Sequence, residues 1–285
     1  VAIRTGTSSN DLAFVVEGSN TKREAMRIDS SGRVLVGTSS SRNIGGAVPA
    51  AVQIEGTDTN TSRLTITRNS NNISNASLVL GKSRGSSNGS STILQNGDGI
   101  GRIIFAGADG TDLETQAAFI EGSVDGTPGV NDMPGRLIFS TTADGASSPT
   151  EHFRIASNGD LTATDTTIGS NSDSRLKTNV ANFTYNLDDF KQYQPKTFDW
   201  KNPELHGNKT GQRGFIAQDV EAIDAYWVDQ QAIGEDSADA EHLDEDRLAK
   251  TLKLGKKDAM YVSVIQQLLT KIETLETKVA ALEAQ

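Results

Sequence analysis

SNSDSRLKTNV, residues 170–180, divides the chain into two sequences of different kinds. Ahead of it the residues are dense in Ser, Thr, Asn and Gly; behind it come charged and helix-like segments. Every tyrosine (Tyr185, Tyr193, Tyr226, Tyr261) and both tryptophans (Trp200, Trp227) follow residue 180. A seam here predicts two regions, 1–171 and 172–285. The stretch itself has two readings. Ser172, Asp173 or Ser174 can cap the start of a helix at Arg175-Leu176-Lys177, the commonest use of such residues. Alternatively, Ser172 is a nucleophile and Lys177 its base.

Working outward toward the amino end, the apolar residues come in short runs bounded by turn formers: RVLVG (33–37), SRLTITR (62–68), SLVLG (77–81), GRIIFAG (101–107) and GRLIFST (135–141). Each reads as a strand. The region also repeats itself. EAMRIDSSGRV (24–34) aligns with EHFRIASNGDL (151–161), and GRIIFAGADG (101–110) with GRLIFSTTADG (135–145). A unit of strand, Gly turn and strand carries few large apolar residues, so its burial must come from stacked repeats or neighbouring chains.

Toward the carboxyl end, NLDDFKQYQPKTFDW (186–200) has the aromatics of a compact α+β domain, with Phe198, Trp200, Phe215 and Ile216 expected in its core. GFIAQDVEAI (214–223) has helical spacing, and Gln218 and Asp219 are placed to contact a neighbouring element or hydrogen-bond at the core edge. DSADAEHLDEDR (236–247) reads as a solvated acidic loop. The last segment, about 262–285, sets Ile265, Leu268, Ile272, Leu275, Val279 and Leu282 at successive a and d places of a heptad. Lys271 and Lys278 then fall at g, with Glu276 and Glu283 five residues on at e, the spacing that pairs charges between parallel chains. A parallel coiled-coil helix is expected.

Bulk properties narrow the function. The chain has 285 residues, 35% hydrophobic and 22% charged, with no cysteine and a formal net charge of -10. Thiolate metal sites and disulfides are excluded, and the charge argues against nucleic acid, which needs a basic stripe. No run of about 18 apolar residues is present, so membrane insertion is not expected. With no initiator Met or leader, Val1 reads as the start of a fragment. His152, His206 and His242 lack metal-ligand spacing, and no GxSxG, GxxxxGK or HExxH motif occurs. No metal or cofactor is expected.

The remaining candidate chemistry is Ser172 with Lys177. A serine hydroxyl is activated only when a base takes its proton, and lysine is such a base only where burial or a nearby cation lowers its pKa. On a continuous helix the two would lie about 140° apart. A dyad therefore needs a turn before the helix, or a lysine from another chain. Spacing alone favours the cap.

SDSRLKTNV, then Phe198-Asp199-Trp200, then GQRGFIAQDV (211–220) and a terminal helix together resemble the intramolecular chaperone domain at the carboxyl end of phage tail fibres and tailspikes, the endosialidase type. The resemblance covers residues 172–285. It implies a homotrimer whose chaperone guides the upstream β-structure into register and then cuts itself off. By motif position the scissile bond is Asn171-Ser172, with Ser172 as nucleophile, Lys177 as its activator, and Asp173 and Arg175 as supporting residues. Upstream, the repeats resemble, more loosely, the β-helix- or β-prism-like shaft of such fibres. A place in the virion tail, assembly in the host cytoplasm, other phage tail proteins upstream and a host-surface glycan or protein receptor follow as expectations.

Two other functions compete. One is a tailspike enzyme that degrades surface polysaccharide, although Phe14, Phe105, Phe119, Phe139 and Phe153 are the only aromatics before the seam to build a sugar platform. The other is adhesion through loops such as GSVDGTPGVNDMPG (122–135), whose plainer reading is a long turn. A further alternative keeps the chaperone uncut as the fibre tip.

Overall fold

The computed structural model describes residues 2–5, 11–18, 21–165, 172–206, 209–233, 239, 242–243, 247–253 and 257–284. The chain divides into two compact units, Val1–Thr166 and Thr167–Gln285. It is mostly β-sheet, with a long carboxyl-terminal helix.

In the first unit, β1 (Ala2–Thr5), β2 (Leu12–Gly18), β3 (Thr21–Ile28), β4 (Val34–Val36) and β5 (Val52–Ile54) form one sheet in chain order. A second sheet holds β6 (Gly99–Ala106), β7 (Gln116–Val124), β8 (Gly135–Thr141), β9 (Thr150–Ile155) and β10 (Leu161–Ala163), again each beside its sequence neighbour. All pairs are antiparallel except β4 with β5. The second sheet and the first four strands of the first are antiparallel meanders, and neither sheet is the parallel coil that a β-helix wound by one chain would show.

The sequence repeat is a structural repeat. Ile28 pairs Val34 across the first Gly turn, and Ile155 pairs Leu161 across the second. Asp29 N–H donates to Arg33 C=O at 3.0 Å and Ala156 N–H to Asp160 C=O at 2.9 Å. Gly32 and Gly159 take the same left-handed conformation, φ 78° and 79°, which a side chain would strain. Each long strand also carries a bulge at the matching place, between Met26 and Glu24 on β3 and between Phe153 and Glu151 on β9. Arg27 pairs with Glu24 and Arg154 with Glu151.

Two expected strands are not strands. SRLTITR and SLVLG, like RVLVG, GRIIFAG and GRLIFST, alternate or run apolar, but residues 62–68 and 77–81 pair with no strand among the described residues. A β pattern becomes a strand only when an edge is available to accept its hydrogen bonds. The first unit's interior is correspondingly thin: Ala13, Leu35, Leu94, Val124 and Ile138 are its buried apolar residues among those described.

The second unit is a small α+β domain. Helices α1 (Leu187–Phe190), α2 (Ala217–Ile223) and α3 (Asp258–Glu283) accompany two hairpins, β11 (Lys196–Phe198) with β12 (Gln212–Gly214) and β13 (Val228–Ala232) with β14 (Leu248–Leu252). Tyr185, Val220, Trp227, Val228, Met260 and Val264 form one buried cluster, with Phe190, Tyr193, Phe215 and Leu252 packed against it. Of the residues expected in the core, Phe215 joins this cluster. Trp200 and Ile216 do not: both are exposed. Trp200 stacks on His206 with ring centroids 3.8 Å apart, and Phe198 meets Trp200 edge-on at 5.4 Å.

Candidate functional site

The seam begins the described part of the second unit with a single tight turn. Ser174–Leu176 form one 3₁₀ turn, flanked by Asp173 (φ -64°, ψ 132°) and Lys177 (φ -124°, ψ 147°), both extended. Of the three candidate caps, the one used is Asp173, whose Oδ1 accepts from Arg175 N–H at 2.8 Å. Because the helical segment stops after three residues, the chain on either side folds back across it. Lys177 Nζ thereby reaches Ser172 Oγ at 2.6 Å. A continuous helix would have kept them on different faces, so the short turn is what makes the pair possible within one chain.

As drawn by charge, the ammonium donates to the hydroxyl oxygen. A neutral amine on the same line would instead accept the hydroxyl proton, the state a nucleophile needs. Ser172 and Lys177 are both exposed in the single chain, as is every residue from Ser172 to Thr184. Asn171 lies outside the described residues.

Asp173 and Arg175 do not touch the hydroxyl. They hold the turn: Arg175 Nη2 donates to Asp173 Oδ2 at 2.6 Å and Nε to Oδ1 at 3.0 Å. This guanidinium, with the Arg175 amide, keeps the Asp173 carboxyl below its usual pKa. Leu176 points out of the turn and is exposed.

The segment leaving the turn is fastened to α3. At Tyr185, the backbone N–H donates to Ser263 Oγ at 2.9 Å and the C=O accepts from Gln267 Nε2 at 2.9 Å. Its ring lies in the core, and its hydroxyl meets that of Tyr193 at 2.6 Å. Burial raises the pKa of both phenols, so the pair is neutral and shares its protons as a hydrogen bond. Sequence reading missed Ser263 and Gln267. A serine on the buried side of an otherwise apolar turn, beside Met260 and Val264, was the available signal.

Helix α3 has two halves. Met260, Ser263 and Val264 are buried in the domain, whereas every residue from Leu268 to Ala284 is exposed. Ile265, Leu268, Ile272, Leu275, Val279 and Leu282 are all exposed, so the apolar stripe has no covering partner among the described residues. Thr270, Thr274 and Thr277 turn their hydroxyls back to the carbonyls of Gln266, Thr270 and Glu273.

Elsewhere, the acidic run is not wholly solvated: Asp239 accepts from Asn202 Nδ2 at 2.9 Å and pairs with His206 Nε2 at 2.9 Å. Those partners lower the Asp239 pKa. Asp219 lies 3.8 Å from Lys196. An apolar hollow of about 220 Å³ is lined by Phe190, Tyr193, Phe215, Trp227 and Tyr261, with Lys257 at its wall. Desolvation there lowers the Lys257 pKa. The loop 122–135 closes through a bridge between Gly129 and Asp132, with Asn131 at φ 57° and Val130 exposed at the tip. Among the described residues, no three His, Asp or Glu side chains converge as metal ligands. No helix among them is long and apolar enough to cross a membrane.

Residues 172–229 match the family model described as chaperone of endosialidase, Peptidase S74. No curated protein matches the chain. Among solved structures, the carboxy-terminal domain of the bacteriophage T5 L-shaped tail fibre is similar at 13% identity and TM-score 0.43, over 64% of this chain and 77% of that one. The same T5 fibre domain with its intramolecular chaperone is similar at 11% identity and TM-score 0.39, over 97% of this chain and 84% of that one. At these scores neither likeness bears on mechanism. The family match begins at Ser172, takes in the whole turn just described and ends at Asp229.

Proposed function

We propose that this chain is a segment of a phage tail fibre whose second unit, residues 172–285, directs homotrimer assembly and then severs itself at Asn171-Ser172. The observation that carries the reading is the 2.6 Å approach of Lys177 Nζ to Ser172 Oγ, inside the segment that matches the chaperone family. Lys177 takes the hydroxyl proton. Ser172 Oγ then attacks the Asn171 carbonyl carbon, and the peptide C–N bond breaks as the Ser172 amine takes up a proton. The resulting ester is opened by water, leaving an Asn171 carboxylate and a new amino terminus at Ser172. Each chain turns over once.

In the single chain both side chains are exposed, whereas a lysine base works when it is desolvated. Assembly supplies that enclosure, which delays cutting until the copies are together. The exposed stripe from Ile265 to Leu282 supports the assembly half of the reading, as the seam of a parallel coiled coil with Lys271–Glu276 and Lys278–Glu283 contacts between chains. Strands with weak apolar pattern slip register easily, and pairing them across chains is slow. Joining the carboxyl ends first raises the local concentration of the remaining segments to about the mM range. Release of the chaperone afterwards leaves a fibre held by a kinetic barrier. The parent fibre then serves host attachment in the virion tail.

The test is the intact mass, under denaturing conditions, of the full chain beside Ser172→Ala and Lys177→Met. Wild type splitting between residues 171 and 172 with both variants whole supports the reading. All three remaining whole after assembly leaves the turn as a cap and the chaperone as a permanent tip.

A further inference from the structure

We infer that residues 62–68 and 77–81 are β-strands completed by a second copy of this chain, each copy lending them to sheet edges and apolar faces that its neighbour leaves open. This rests on the reading that the chain assembles with itself, and it assigns the residues that do so in the first unit.

The backbone argues first. Among the described residues, none from 62 to 82 makes a backbone–backbone hydrogen bond. The few local bonds there are side-chain ones, such as Ser74 N–H to Asn72 Oδ1. A segment this long with no ladder is an open template for pairing.

The side chains argue next. Leu64 is 70% exposed, Ile66 49%, Leu78 64% and Val79 82%. Contiguous exposed apolar residues of this kind mark an interaction surface rather than a coat of solvent. They are matched by an uncovered sheet: on β6 the consecutive residues Ile103, Ile104 and Phe105 are all exposed, and consecutive strand residues point to opposite faces. Both faces of that strand therefore lack cover.

The identity of the partner comes from sequence kinship. Ser62-Arg63-Leu64-Thr65-Ile66 has the same form as Gly101-Arg102-Ile103-Ile104-Phe105 on β6 and Gly135-Arg136-Leu137-Ile138-Phe139 on β8. Those two strands flank β7, where Arg102 pairs with Glu121 of the adjoining strand and Arg136 with Asp125. Arg63, at the corresponding place, reaches Asn60 Oδ1 at 3.3 Å and no carboxylate among the described residues. It wants the kind of neighbour that this chain's own strands provide, and another copy offers it. The second stretch is already laid against that sheet at one point: a Cβ on Gly101 would come within 2.5 Å of the Leu80 Cβ. Leu80 thus uses the space that Gly101 leaves, while Leu78 and Val79 face outward.

The experiment is hydrogen exchange with peptide-level mass readout on the full chain, after its assembled mass has been measured by light scattering, repeated on Thr65→Pro. Proline removes an N–H from that ladder without touching the second unit. The inference expects an assembled mass above that of one chain, with amides at 63–67 and 77–80 exchanging at least roughly a hundredfold more slowly than in an unstructured peptide. In Thr65→Pro the protection at 63–67 falls at least tenfold. An assembled protein in which these amides exchange at the unstructured rate, or keep their protection in Thr65→Pro, overturns the assignment and leaves assembly standing. A single-chain mass overturns both.

Discussion

The two units solve burial in opposite ways. In the second, one cluster of Tyr185, Val220, Trp227, Val228, Met260 and Val264 closes around the start of α3, and the backbone of Tyr185 is fastened to the same helix at both its N–H and its C=O. In the first, two meander sheets carry a handful of buried apolar residues, while Leu64, Ile73, Val79 and Phe105 stand exposed. One unit has a core of its own. The other is built of parts that need company. If the proposed assembly holds, this difference would set an order of events in which the carboxyl-terminal unit folds first and the strand-rich unit follows on neighbouring chains.

The largest expected effect strikes the self-sufficient core. Trp227→Ala should cost the second unit about 3–5 kcal/mol, read from urea unfolding followed by tyrosine fluorescence. A loss under about 1 kcal/mol would remove the core from the comparison. Next is Ser263→Ala, which leaves the buried Tyr185 amide without its acceptor and should cost about 1–3 kcal/mol. Its unfolding midpoint should drop while the sheet signal of the first unit is unchanged in already assembled protein. Substitution on the exposed stripe, Ile272→Lys, should barely move the second unit's stability yet lower the assembled mass. An unchanged mass would show that the stripe is not the seam.

The smallest effect sharpens the turn itself. Because the Asp173 pKa is depressed by Arg175, this pair stabilises the turn above the ordinary carboxylate value of about 3.9, and the contribution is lost as pH falls through the lowered value. Arg175→Ala should bring the Asp173 titration, followed by NMR, back up toward that ordinary value. A titration that does not move would assign the shift to the backbone amide alone.

Much of this was legible in the residues. The repeat of EAMRIDSSGRV in EHFRIASNGDL marked two hairpins that match in register, bulge and Gly turn, because backbone geometry fixes Gly, the flanking charge pair and the apolar ends together. Aromatic distribution placed the seam between residues 171 and 172, whereas the compact units divide between Thr166 and Thr167. SRLTITR was misleading for the same reason that it was readable: alternation reports a strand's faces and not whether an edge exists to receive it. At the turn, five-residue spacing argued against a Ser172–Lys177 contact, since it presumes a continuous helix; a 3₁₀ turn of three residues between extended neighbours removes the premise. Trp200 was misplaced because an aromatic next to strand β11 reads as core, whereas His206, folded back by a local turn, supplies its cover from outside.

The most direct measurement is the assembled mass of residues 1–166 made without the second unit, beside the full chain carrying Ser172→Ala, both by light scattering in native buffer. The account predicts a soluble trimer from the full chain and no defined trimer from 1–166 alone. A first unit that reaches the same trimeric mass unaided would contradict the dependence of one unit on the other.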